Sequence, residues 1–252
     1  MKKPWGRLRL GVVAIIMLLM LAILVSGCSK ETLLPKDESY MTQAEEKKVK
    51  EAVIDYIQKR YNKNFEVQQI DKDHLFGADY TIRGKIKDGK DTIIYVTGNP
   101  PNDFQDTYVP QLWTDELEPR ITKYAKETMD FRLMKNIVYG DGTKKTTYTG
   151  EIPSVYDVLK NGGDKDFTLT LSIEIYDHHG QSQAEISKFL NELKKMNLNE
   201  VIIEIFVYDD KLKTISKKTD TDNYAIYRYN ISGDIQKIDI NNLDQYKTVI
   251  KH

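Results

Sequence analysis

The chain has 252 residues, with 37 basic side chains against 38 acidic ones, one cysteine and four histidines. The two signs of charge are mixed along its length, so no basic stripe marks a nucleic-acid partner. A lone cysteine excludes an internal disulfide scaffold, and 40% apolar content suffices for a buried core.

The first residues carry Lys2, Lys3, Arg7 and Arg9, followed by an apolar run over residues 11–25. At about 15 residues this run falls short of the roughly 20 that span a bilayer comfortably, which predicts a cleaved export signal. It ends on Val25-Ser26-Gly27-Cys28, with Leu24 before it. These residues resemble the lipobox of bacterial lipoproteins. The resemblance implies diacylglycerol on the Cys28 thiol, cleavage after Gly27, and a mature chain held by lipid on the outer face of the cytoplasmic membrane. Removing the four basic residues of the signal from the 37 leaves 33 against 38 acidic, a net charge near −5. The abundance of Lys, Asn, Ile, Tyr and Asp resembles exported proteins of low-GC Gram-positive bacteria.

Residues 28–40 are mostly polar, contain Pro35 and show no period, so they read as a tether. Extended, it would reach roughly 40 Å at about 3.4 Å per residue. Thr42 with Glu45 three residues later predicts a capping box. Behind it, Val49, Ala52, Val53, Tyr56 and Ile57 repeat on one helical face. Strands follow over residues 65–70, 78–86 and 92–97. Asp88-Gly89 between the last two predicts a tight hairpin, because both central positions of such a turn need positive φ. The pattern predicts a three-stranded meander with the helix across one face.

The loop Gly98-Asn99-Pro100-Pro101-Asn102-Asp103 precedes a second helical stripe of Trp113, Leu117, Ile121, Tyr124 and Ala125. Pro119 inside it costs about 3 kcal/mol or more, which predicts a kink or a break into two helices. Short strands are expected over residues 133–139 and 145–148, joined through Gly140-Asp141-Gly142. Phe167, Leu169, Leu171, Ile173 and Ile175 alternate as a half-buried strand. Ser182 with Glu185 predicts a second capping box, for a helix with Ile186, Phe189, Leu190, Leu193 and Met196 on its core face. A denser strand over residues 201–208 completes a strand-helix-strand unit, and two more strands are expected around Ser232-Gly233-Asp234.

The expected fold class is therefore α+β: an antiparallel meander packed with helices, in two small modules over residues 41–130 and 131–252, after a signal over 1–27 and a tether over 28–40. The first half resembles small exported modules of PepSY-like or cystatin-like type at the level of topology.

Histidine chemistry would have to use His74, His178 or His179, since His252 ends the chain. Asp177-His178-His179-Gly180 lies between a predicted strand and helix, where imidazole and carboxylate could meet a metal. Adjacent residues on an extended loop do not by that fact converge on one ion, and no second spaced histidine pair occurs, so the solvated-loop reading stands beside the metal one. Asp209-Asp210, Asp220 and Asp222 lack the liganding-loop spacing and sharp-turn glycine of a calcium site. No nucleophile elbow, phosphate loop or dinucleotide fingerprint is present. A lipidated Cys28 would have no thiolate to act as a nucleophile. Among sixteen tyrosines, Tyr108, with Phe104 and Trp113, could form a recognition surface after the proline loop. The same aromatics also suit a core.

The function expected from these features is a membrane-anchored extracytoplasmic lipoprotein that binds a protein, peptide or envelope component, with no cofactor and no nucleic acid. The alternatives are a solute-binding subunit of a transporter and a metal-assisted envelope enzyme using His178 and His179.

Overall fold

A computed structural model describes residues 41–72, 80–142, 146–215 and 221–250. The lipobox, the tether, His74, Asp220 and His252 lie outside them, and the side chain of Asp222 is likewise not described. Helix α1 (Gln43–Tyr61) buries Val49, Val53, Ile57 and Tyr61, each four residues after the last. Its opposite face carries Lys47, Glu51, Asp55 and Lys59 in i,i+4 ion pairs. Glu45 spends its carboxylate on Lys72 Nζ at 2.7 Å and on the Tyr80 hydroxyl at 2.5 Å, fastening the start of the helix to the sheet.

The first sheet is antiparallel throughout, in the order β1 (Phe65–Lys72), β2 (Tyr80–Ile86), β3 (Thr92–Asn99), β4 (Asp103–Asp106). The expected three-stranded meander therefore gains a fourth strand from the segment read as a loop. Strand β2 alternates as expected, with Tyr80, Ile82, Gly84 and Ile86 facing the core. Gly84 is required by close approach: a Cβ there would lie 2.4 Å from the Phe65 ring.

The β2–β3 connection corrects the two-residue turn. Ile86 pairs with Thr92, so the loop is residues 87–91, and the positive φ angles fall on Gly89 (94°) and Asp91 (57°). Asp88 organises the wider loop, accepting from the Lys90 amide at 3.0 Å, the Thr92 hydroxyl at 2.5 Å and the Tyr108 hydroxyl at 3.2 Å. Burial alone would raise the Asp88 carboxyl, but these bonds hold it below the usual carboxylate range. A Cβ at Gly89 meets open space, so Gly89→Val would suffer from the backbone angle alone. The expected loss is about 1–2 kcal/mol, or roughly 2–4 °C of melting temperature per kcal/mol, read by thermal denaturation.

Helix α2 (Tyr108–Thr128) runs unbroken through Pro119, against the expectation of a division there. Pro119 is on the exposed side, while Trp113, Leu117, Ile121 and Ala125 form a fully buried stripe. The carbonyl that loses its partner belongs to Asp115, also exposed, where water can serve it, and packing of the other face outweighs the proline's penalty. This helix packs against β3, against β5 (Phe131–Gly140) of the second sheet and against helix α4 (Ser182–Lys194). A six-residue helix, α3 (Val155–Lys160), is tied to it through Glu116, which accepts from the Ser154 hydroxyl at 2.8 Å and the Val155 amide at 2.9 Å.

The second sheet runs β5 (Phe131–Gly140), β6 (Thr168–Tyr176), β7 (Glu200–Tyr208), β8 (Ala225–Asp234), β9 (Lys247–Val249). Strands β6 and β7 are parallel, joined by α4, and the other pairs are antiparallel. Leu169, Leu171, Ile173 and Ile175 are buried, as their alternation predicted, together with Ile186, Phe189, Leu190, Leu193 and Met196. Two expectations fail. Residues 146–148 form no strand, and β5 pairs with β6 instead. Ser232-Gly233-Asp234 is no turn but the end of one ten-residue strand, paired with residues 200–202 of β7.

The architecture is α+β, with one mixed and one antiparallel sheet. The first sheet is drawn from residues 65–106 and the second from residues 131–249. Yet residues from Gln43 onward form one compact unit, because α2 packs on both sheets. Among the described residues no helix is long and apolar enough to cross a membrane.

Candidate functional site

The aromatic set singled out from sequence is in the core. Phe104 and Tyr108 are 2% exposed and Trp113 is 0% exposed, so their side chains offer no recognition surface. Phe104 packs beside the Tyr56 ring at 5.5 Å, and Tyr108 meets Tyr61 edge-on at 4.9 Å. Trp113 lies against Tyr148 and Phe167 at 4.8 and 4.6 Å and donates its ring N–H to the Pro153 carbonyl at 2.9 Å. Partners for the polar tips of Tyr108 and Trp113 are what allow them inside.

His178 and His179 stand where the fold would place a site, after β6 at the carboxyl end of the parallel pair. Both take left-handed angles, φ 49° and 57°, followed by Gly180 at 85°. Asp210, beyond β7, accepts from the amides of His178 and His179 at 3.3 and 2.9 Å, and from Lys213 Nζ at 2.6 Å. The Lys213 bond foremost, and then the two amides, hold Asp210 down to about 2.

The expected capping box is replaced here. Gln181 sits at the cap position, Ser182 donates to Asp177 at 2.8 Å, and Glu185 accepts from the Asp130 amide at 2.9 Å. The other Glu185 oxygen lies 2.5 Å from His178 Nδ1, and this bond raises the imidazole above its ordinary value. The two imidazoles thus address different carboxylates, with His179 Nδ1 3.5 Å from Asp210. Among the described residues no three His, Cys, Asp or Glu side chains converge as a metal-holding group. What this cluster does is latch the loop to the 3-10 turn after β7 (Asp210–Thr214) and to Asp130 before β5.

A different surface has the shape of a binding site. The helices cover one face of each sheet, and the opposite face carries the other phase of every strand. On β3, burial of Ile94 and Val96 turns Ile93 and Tyr95 outward. In the second sheet Val138 pairs with Thr170 and Thr170 with Ile202, a row across three strands. Tyr95, Val138 and Ile202 are 48%, 42% and 54% exposed.

Two clefts follow this row. One, of about 220 Å³, lies between Tyr95, Thr97 and Pro110 on one side and Val138 on the other. The second, of about 480 Å³, is bordered by Lys165, Asp166, Thr170, Glu200 and Ile202. They share Val138, Gly140, Asp141 and Gly142, so they form one trough. Sequence reasoning passed over these residues. The available signal was apolar side chains out of phase with their strand, as in Ile93-Ile94-Tyr95-Val96 and Val201-Ile202-Ile203.

No protein-family model matches the chain, and no curated protein is similar to it. Among solved structures it is similar to a DUF5037 family protein from Ruminococcus gnavus ATCC 29149. The identity is 14% over 65% of this chain and 76% of that one, with a TM-score of 0.37.

Proposed function

We propose that this chain is an extracytoplasmic, lipid-anchored binding module that holds a protein or envelope component at the outer face of the cytoplasmic membrane and catalyses nothing itself. The anchor in this reading is Cys28, with residues 28–40 as the stand-off. The observation that carries the binding role is the trough flanked by Tyr95, Val138 and Ile202 on sheet faces that no helix covers. Apolar area of this kind gains about 25 cal/mol for each Å² that a partner removes from water. A transporter's solute receptor encloses its ligand between two lobes, whereas residues 43–252 form one compact unit. A metal enzyme at His178 and His179 is disfavoured because each imidazole is bound to a separate carboxylate.

The test places a photo-crosslinking residue at Tyr95, at Ile202 and, as a control, at Glu51 on the exposed face of α1, in living cells. Adducts of discrete mass are expected at positions 95 and 202 and not at 51. In the same cells Cys28→Ser should abolish incorporation of labelled fatty acid and reduce those adducts. Equal capture at position 51 would remove the trough from the reading. Equal fatty-acid labelling of the serine variant would remove the anchor.

A further inference from the structure

The trough is apolar along its walls and acidic at its middle and far end. Asp141 lines both clefts, and Glu200 stands at the border of the second. Among the described residues neither has an ion-pair partner. Glu200 pairs across the sheet with Asp234, a like charge, and Lys237 is bound 3.0 Å from Asp234. Lys165 is the single cation among the described lining residues, against Asp106, Asp141, Asp166 and Glu200, of which Asp106 is already paired with Arg60. Burial, and then the negative charges of Asp106, Asp164 and Asp166, push the Asp141 carboxyl above the usual carboxylate range. A cation brought to this point would find an anion that the free protein leaves poorly neutralised.

The shape restricts the occupant as well. The clefts meet at residues 140–142, so an occupant that fills both is elongated, touching Tyr95 at one end and Ile202 at the other. An extended polypeptide alternates side chains between its two faces, which lets it set apolar groups on Val138 and Ile202 and direct basic groups to Asp141 and Glu200.

Resting on the binding role given above, we propose that the trough takes an extended, basic segment of a partner polypeptide, with Asp141 and Glu200 receiving its Lys or Arg side chains and Tyr95, Val138 and Ile202 its apolar ones. The small polar cluster at His178 and His179 has no part in this contact.

The proposal is tested with the full chain in detergent and a fluorescent nine-residue peptide alternating Lys and Val, compared with one alternating Glu and Val. The Lys peptide should bind, and Asp141→Asn with Glu200→Gln should weaken it about tenfold, equivalent to roughly 1.4 kcal/mol. Ile202→Asp should weaken it too, although it adds negative charge, because it removes apolar contact. Circular dichroism and melting should be unchanged in both variants, since Glu200 and Ile202 are exposed and Asp141 is only half-buried. Equal binding of the Glu peptide, or an undiminished affinity in the double variant, would overturn the basic-segment assignment. So would competition by spermine at the peptide's own concentration, which would reduce the site to a polyamine site. If crosslinks form at positions 95 and 202 while charge proves irrelevant, the binding role stands and only this chemistry fails. If neither occurs, both fail.

Discussion

Trp113→Ala should lower the stability of the folded unit by about 3–5 kcal/mol, a fall in melting temperature on the order of 10 °C. The indole is fully buried where helix α2 meets the second sheet, among Tyr139, Tyr148 and Phe167. Its removal opens a cavity that three rings cannot fill without leaving their own contacts, and the Pro153 carbonyl loses its donor. Trp113→Phe keeps most of the volume and forfeits the hydrogen bond, so it should cost about 1–2 kcal/mol. Tyr95→Ala, an aromatic truncation on the uncovered face of β3, should stay within about 0.5 kcal/mol of the parent. Chemical denaturation of the three variants reads all of this. An unchanged transition in Trp113→Ala would place the indole outside the core.

The contrast between Trp113 and Tyr95 is also where sequence reasoning reaches its limit. Composition announced that aromatics were abundant, and local chemistry put Phe104, Tyr108 and Trp113 after a proline loop, where exposure was plausible. Which aromatic faces water is set by strand phase and by what packs above the strand. In Ile93-Ile94-Tyr95-Val96 either phase is apolar, so a single sequence leaves the outward face open. By contrast, Leu169, Leu171, Ile173 and Ile175 have mostly polar residues between them, and that strand was legible with its buried face. The helices α1 and α4 were legible for the same reason, each with one apolar stripe.

What was missed is short or overridden by tertiary contact. Strand β4 has four residues with only Phe104 buried, too few for a period to show. Helix α3 has six, with Val155 and Leu159 buried. Pro119 and Ser232-Gly233 are local breakers that packing overrules, the first on an exposed helix face and the second at a strand end paired with β7. The capping signature Ser182 with Glu185 did not close on itself. Ser182 donates to Asp177 in the preceding loop, while Glu185 takes His178 from that loop and the Asp130 amide, remote in sequence. The trough was legible only as apolar residues in both phases of β3 and β7; that these meet at the end of β5 depends on a register no local pattern specifies.

Asp106→Ala should be comparably severe, costing about 3–5 kcal/mol, because it removes the anion from a buried polar cluster and leaves its partners behind. The Asp106 side chain has no exposure, and Arg60 Nε stands 3.5 Å away on a side chain only 18% exposed. The carboxylate accepts from the hydroxyls of Tyr56 and Tyr61 at 2.6 and 2.8 Å and from the Tyr108 amide at 3.0 Å. It thereby joins α1 to the start of α2, while Arg60 donates onward to the Thr146 carbonyl. Asp106→Asn keeps an acceptor for the hydroxyls and should cost less than alanine. Burial first, and then the Asp106 charge, raise Tyr56 and Tyr61 well above the usual tyrosine value of 10.0. A folded pKa above the unfolded one means that the stability these groups contribute is complete below about pH 10 and drains away as pH rises beyond it. Denaturation midpoints of the parent should therefore hold steady from these groups up to about pH 9 and fall steeply above pH 10. The asparagine variant should begin from a lower midpoint and still fall over the same range, since burial is the larger cause and survives the substitution. A parent midpoint that stayed level from about pH 9 to 12 would show that the two hydroxyls are not held in a buried cluster at all.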